Sequence, residues 1–156
     1  MIVTTSIFEG ELTVGQITED HIAARLQWFI NKYEPLYLRM LLGGELYDLL
    51  TTELSNQTHD VKWDDLAEKV KPMTANYIYF FYKIENESQS TGVGLVKQKA
   101  KNATRESVID KAVARWNEMV NMVMDFNSWI RERKNDYPEY KAKLSAIYHY
   151  KNTFGL

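Results

Sequence analysis

The side chains with most chemical potential in this 156-residue chain are three histidines, two close carboxylate pairs and one glycine–lysine cluster. His21, His59 and His149 are dispersed, and none has a His or Glu three or four residues away in a metal pattern such as H-E-x-x-H. Asp64 and Asp65 are adjacent, Glu85 and Glu87 two apart. On a helix such carboxylates diverge, so they read as solvated faces rather than an acid–base couple. Gly92-x-Gly94-x-x-Lys97 has the composition of a phosphate loop, but it lacks the G-x-x-x-x-G-K-[ST] spacing and the third glycine of a dinucleotide fingerprint. No G-x-S-x-G elbow is present. There is no cysteine, which removes disulfides, thiolate nucleophiles and cysteine-based metal sites. These patterns assign no catalytic, cofactor-binding or metal-ligating residue, and the expectation is a protein that is not an enzyme.

What the remaining residues could do depends on the elements that carry them. Helical runs at 72–87 and 105–134 flank a long inter-helix loop, 88–104, with two glycines and lysines at 97, 99 and 101. Structureless connections of this length are uncommon unless functional or disordered. In an extended segment Lys97, Lys99 and Lys101 share one side, a basic stripe suited to phosphates or an acidic neighbour. A solvated linker is the plainer alternative. The lysines lack the interleaved aromatics of a nucleic-acid-binding strip.

Residues 1–17 are β-branched and punctuated by Gly10 and Gly15, which predicts an extended N-terminal arm with Leu12 and Val14 alternating as on an edge strand. Thr18 is the expected N-cap of a helix bearing Ile22, Leu26, Phe29, Ile30 and Tyr33 on one face. Pro35 is expected to end or restart that helix, and Gly43-Gly44 to turn the chain. A second helix follows over 45–54, then a polar loop over 55–60. Asp60 or a neighbour caps a short helix, and Pro72 stands at the first position of another.

In that next helix Tyr77, Phe81 and Ile84 share one face, while Ile78, Phe80 and Tyr82 lie around the rest. A helix apolar on most sides is buried in its own domain or covered by a partner. Both readings stay open, and Tyr79, Phe80 and Tyr82 are the candidate subunit-interface aromatics. Apolar residues from Ile109 to Ile130 keep helical spacing and predict a scaffold helix. Asp136-Tyr137-Pro138 ends it, and the C-terminal segment 136–156 is expected to hold a last helix with Tyr140, Leu144, Ile147 and Tyr148. The expected fold is mainly α: one domain over 1–156, a compact helical bundle with one long central helix, an extended loop between helices and an irregular N-terminal segment.

At 45% hydrophobic and 26% charged residues the composition is that of a globular protein. No apolar run approaches a membrane span and no basic–apolar leader opens the chain, so a soluble, unsecreted protein is expected. The net charge of −2 conceals an asymmetry. Residues 1–60 hold nine acids against three bases, hence −6; residues 61–156 hold twelve against sixteen, hence +4. Identical subunits meeting head-to-tail would place acidic against basic parts, and such contacts close into rings when the rotation allows.

The order of LGGELYDLL at 42–50, Trp63-x-x-Leu66, Pro72-Met73, YIYFFYKIENE at 77–87, TGVGLVKQKAKNAT at 91–104 and ARWNEMV at 114–120 resembles head–tail connector (adaptor or head-completion) proteins of tailed bacteriophages, of the Bacteroidales-phage type. The likeness spans roughly 36–126, and its motifs are architectural. It implies small helical subunits in a ring below the portal, joined to a tail or stopper protein around a DNA channel. The location it implies is the virion's head–tail junction, with assembly in the bacterial host cytoplasm. By the same resemblance Thr91, Gly92, Val93 and Gly94 form the turning part of an interaction loop and Lys97, Lys99 and Lys101 its basic arm, while Trp116, Asn117 and Met119 pack. The alternative is a small helical protein-binding or regulatory module without catalysis.

Overall fold

Leu26, Phe29, Ile30, Tyr33, Tyr37, Leu38, Leu41 and Leu42 recur at three- and four-residue spacing, and in the structure they line the buried side of one helix, α1, Asp20–Leu42. The structure is a computed structural model that describes residues 1–9, 12–14, 19–87, 90–91, 94–95 and 108–152. The other helices are α2 (Gly44–Glu53), α3 (Val61–Glu87) and α4 (Val108–Glu132), with short 3-10 turns at Thr5–Glu9 and Leu144–Ala146. Between α3 and α4, Ser90–Thr91 and Gly94–Leu95 form a two-residue antiparallel ladder.

Neither interior proline breaks its helix. Pro35 and Pro72 each remove one N–H from the ladder, yet α1 and α3 run through them. The carbonyls left without a helix donor belong to Asn31 and Glu68, four residues earlier. Both are exposed, so water can satisfy them. At the start of α3 the cap is as expected: the Asp60 carboxylate accepts from Lys62 N at 3.0 Å and its carbonyl from Trp63 N at 3.0 Å. At α1 the N-cap is Glu19, one residue after the expected Thr18, and its side chain makes no cap bond; Thr18 itself lies outside the described residues.

The central helix is α3 rather than the 105–134 run. It is the longest at 27 residues and packs against α1, α2 and α4. Every residue from Met73 to Phe80 is buried, two full turns with no solvent side. Its α1 and α4 contacts are antiparallel: Phe29 meets Tyr82 and Tyr37 meets Tyr77, while Trp116 meets Tyr77 and Lys69 sits over Trp129. The aromatic helix is therefore covered by its own chain.

Both chain ends differ from expectation. Among the described residues, 1–9 and 12–14 form no strand; the arm folds through a 3-10 turn, with Val14 N bonded to Phe8 O at 3.0 Å. Ile2, Val3, Phe8, Leu12 and Val14 are buried in the common core. Among the described residues the C-terminal segment is not helical beyond its 3-10 turn. Lys141 N donates to Leu42 O at 3.1 Å and Lys143 N to Met40 O at 2.7 Å, so its amides serve the orphan carbonyls at the end of α1. Amides committed across the chain cannot also close a helix of their own.

Gly43, where α1 turns into α2, sits at φ +88°, ψ 159°, a region essentially limited to glycine. A Cβ there would lie 2.7 Å from Lys141 O, so the site requires glycine for its conformation and for the close passage of the tail.

Candidate functional site

The helical hairpin of α3 and α4 carries the short Ser90–Thr91 and Gly94–Leu95 ladder at its connecting end. Of the proposed loop residues, Thr91 and Gly94 are paired across the short ladder. Gly92, Val93, Lys97, Lys99 and Lys101 lie outside the described residues.

Behind that end the hairpin is joined by aromatic rings. Tyr33 stacks on Phe81 with centroids 4.5 Å apart, Tyr77 lies 4.9 Å from Phe81, and Phe80 lies 4.9 Å from Trp116. Tyr79, Phe80 and Tyr82 are only 5%, 7% and 7% exposed, so contact with another subunit would have to open this core. Met119 is fully buried in the same core. Burial, with Tyr33 nearby, pushes the Tyr77 phenol up to about 12. Burial also raises Tyr37 well above the ordinary tyrosine range, and its hydroxyl has no hydrogen-bond partner among the described residues.

A second joint ties the tail to α4. Trp116 Nε1 donates to His149 O at 2.7 Å, and Asn117 exchanges two bonds with Lys151, Nδ2 to its carbonyl at 2.9 Å and Oδ1 from its N–H at 2.8 Å. The Lys151 ammonium stands 4.7 Å from the Trp116 ring centroid. At the opposite end Tyr137 Oη donates to Lys62 O at 2.8 Å, and its phenol is pushed up to about 12, first by burial and then by Asp65 and Asp136.

Sequence reading missed Glu34. It is 5% exposed, and its carboxylate accepts from Ile2 N at 3.1 Å (both oxygens) and from Val3 N at 2.7 Å. These charge-assisted bonds hold the N-terminal arm on α1. Burial first and the Glu34 charge second raise the Tyr47 phenol. A charged residue one step before a proline carried no signal of an acceptor for amides some thirty residues away. Glu34→Gln keeps one oxygen acceptor and loses the charge. Since bonds to charged groups contribute about 1.5–3 kcal/mol, the variant is expected to lose about 1–3 kcal/mol in denaturant unfolding, with faster amide exchange at Ile2 and Val3.

The remaining chemical candidates stay apart. His21 lies near Glu19 at 3.5 Å, whereas His59 Nε2 lies 3.0 Å from Asp64 Oδ1, a bond that raises the His59 imidazole. His149 is exposed. Among the described residues no three His, Asp or Glu side chains form a group that could hold a metal. An open cleft of about 630 Å³ beside Tyr79 carries Asp110, Lys111, Arg115 and Glu118, with Arg115 paired to Glu118 at 2.6 Å. Acids and bases alternate there instead of converging. Among the described residues no helix is long and apolar enough to cross a membrane.

Burial of the tyrosines gives a pH dependence. Tyr77 and Tyr137 have folded values of about 12 against an ordinary value near 10. Both raised values favour the protonated folded form, so the stability they contribute is intact below pH ~10 and is lost between ~10 and ~12. Alkaline unfolding followed by circular dichroism should track tyrosinate absorbance across that window. A chain that keeps its helical signal after both phenols ionise would contradict this.

Comparison with known protein families, curated proteins and solved structures returned no match.

Proposed function

We propose that this chain is a structural assembly subunit that acts among copies of itself, a connector-like protein of a phage head–tail junction. In this reading the subunits form a ring below the portal, bind a tail or stopper protein, and surround a DNA channel. The role is non-catalytic. Its place is the virion, with assembly in the host cytoplasm.

The observation that carries the reading is where the connector-like motifs fall. Gly43 of LGGELYDLL receives the C-terminal segment, and Trp116-Asn117 of ARWNEMV anchors the tail. Trp63 packs edge-on to Tyr137. Trp116 and Asn117 stand on α4 of the hairpin whose helices residues 88–107 connect, a stretch with four of the chain's nineteen lysines and arginines against one acid. Repeated around a ring, such segments would give a positive surface, and any DNA contact would be sequence-independent and salt-sensitive. A second reading, a helical protein-binding module, draws on the exposed Trp28 and Leu36 of α1.

Native mass measurement of the purified protein, alone and with a portal protein, separates the two. Ring-sized assemblies or a portal complex are expected. A stable monomer at every concentration, with no portal affinity, would favour the module. Replacing Lys97, Lys99 and Lys101 together by alanine is expected to weaken assembly or DNA retention; unchanged behaviour would remove the basic arm from the mechanism.

A further inference from the structure

Two exposed helix faces at opposite ends of the bundle have complementary character. On α1, Trp28 and Leu36 are 52% and 51% exposed and stand one turn either side of Lys32, whose ammonium lies over the Trp28 ring at 4.7 Å. Arg25, three residues before Trp28, extends the row. An acid already beside this row is Glu85, 3.7 Å from Lys32. Large apolar side chains exposed in a line along one helix mark a contact surface more than single ones do.

On the first turns of α3, Val61, Asp64, Asp65 and Glu68 follow the same three- and four-residue spacing. Val61 is 68% exposed, and the Asp64 and Glu68 side chains are 58% and 73% exposed. The opposite side of these turns, Trp63, Leu66 and Val70, is buried. Cations flank this row: Lys71 pairs with its Glu68 and His59 with its Asp64, while Lys62 and Lys69 lie over the Trp63 and Trp129 rings. One face is thus apolar with cations, the other acidic with one apolar residue at its head.

We infer that the α1 face of one copy docks on the α3 N-terminal face of the next. The two faces cannot meet within a chain. Lys32 lies beside Glu85, which is 21 residues after Asp64 on α3, so the faces are roughly 30 Å apart along the helix at ~1.5 Å per residue. A contact between different surfaces of identical copies is heterologous and propagates from copy to copy. Crossing helices alone cover less than the roughly 1,200 Å² of a stable complex, so each contact is weak and salt-sensitive. The inference rests only on the self-assembly part of the proposed function; the portal has no part in it.

The test is sedimentation velocity over a concentration series at low and high salt, with Lys32→Glu and with Asp64→Lys/Asp65→Lys. All three positions are exposed, and circular dichroism checks folding. Each variant alone is expected to self-associate about tenfold more weakly or worse, because like charges then face one another. An equimolar mixture of the two restores association, since each supplies the face the other has reversed. Equal self-association of wild type and both variants, or a mixture no better than its parts, overturns the inference. So does loss with Trp28→Ala while the Asp64→Lys/Asp65→Lys form associates normally, which indicates an α1-to-α1 dimer. Portal binding that persists while the mixture fails sinks this contact and leaves the connector reading standing.

Discussion

Replacing Trp116 by alanine is expected to lower the unfolding free energy by about 3–5 kcal/mol, the range for removing a large buried aromatic. The indole is 5% exposed and fills the angle between α3 and α4, with ring contacts to Tyr77, Phe80 and Phe81. It also holds the tail through Nε1 and His149 O. Two terms therefore add: a cavity in the hairpin joint and a tail deprived of one anchor. Trp116→Phe separates them. It retains most of the ring and loses the donor, leaving the His149 carbonyl to find water, and should cost about 1 kcal/mol from the hydrogen bond plus a smaller packing loss. Urea melts give the two totals, and amide exchange over residues 147–152 reports the tail. An alanine variant within about 0.5 kcal/mol of wild type, the scale of ordinary surface changes, would mean that the hairpin is not braced there.

Gly43→Ala should rank next. Its backbone conformation costs a non-glycine residue about 1–3 kcal/mol, and the new methyl would press on the Lys141 carbonyl at 2.7 Å. The chain has two ways to relieve this. It can twist the α1–α2 turn, or it can release the tail segment and its bonds to Met40 O and Leu42 O. Either route ends in a loss of about 2–4 kcal/mol. Gly44→Ala is the control. Its Cβ would meet nothing nearer than the Arg39 Nη1 at 3.5 Å, an ordinary contact, and it lies in the first turn of α2. The expected result is a large difference between neighbours: a marked fall in melting temperature at 43 and little change or a gain at 44. Equal effects at the two positions would refute the close-passage argument.

Much of the architecture was legible because helical periodicity is a local property. The spacing from Ile22 to Tyr33 and from Ile109 to Ile130 is written in consecutive residues, and α1 and α4 follow it. The Asp60 cap was equally readable, since a capping side chain acts on amides two residues away. The prolines misled for a related reason. Residue type alone says that an N–H is missing, whereas the consequence depends on whether the freed carbonyl belongs to an exposed residue, as at Asn31 and Glu68.

Of the candidate site, the aromatic helix was visible as apolar on most sides, but its cover was not. Only the packing of α1 and α4 on α3 decided that Tyr79, Phe80 and Tyr82 are enclosed by their own chain. The exposed row of Trp28, Lys32 and Leu36 was just as invisible, because a helix sequence does not say which of its faces a neighbour will take.

Local order, then, was settled by the chain itself: which stretches coil into helices, where the α1–α2 turn falls, and where charge is concentrated. Long-range commitments needed the third dimension. Glu34 clasps amides at the other end of the N-terminal arm, and Trp116 and Asn117 hold a tail more than thirty residues on. A buried carboxylate and an indole donor each require a partner, but any amide or carbonyl satisfies them. Only the packed backbone decides whose it is.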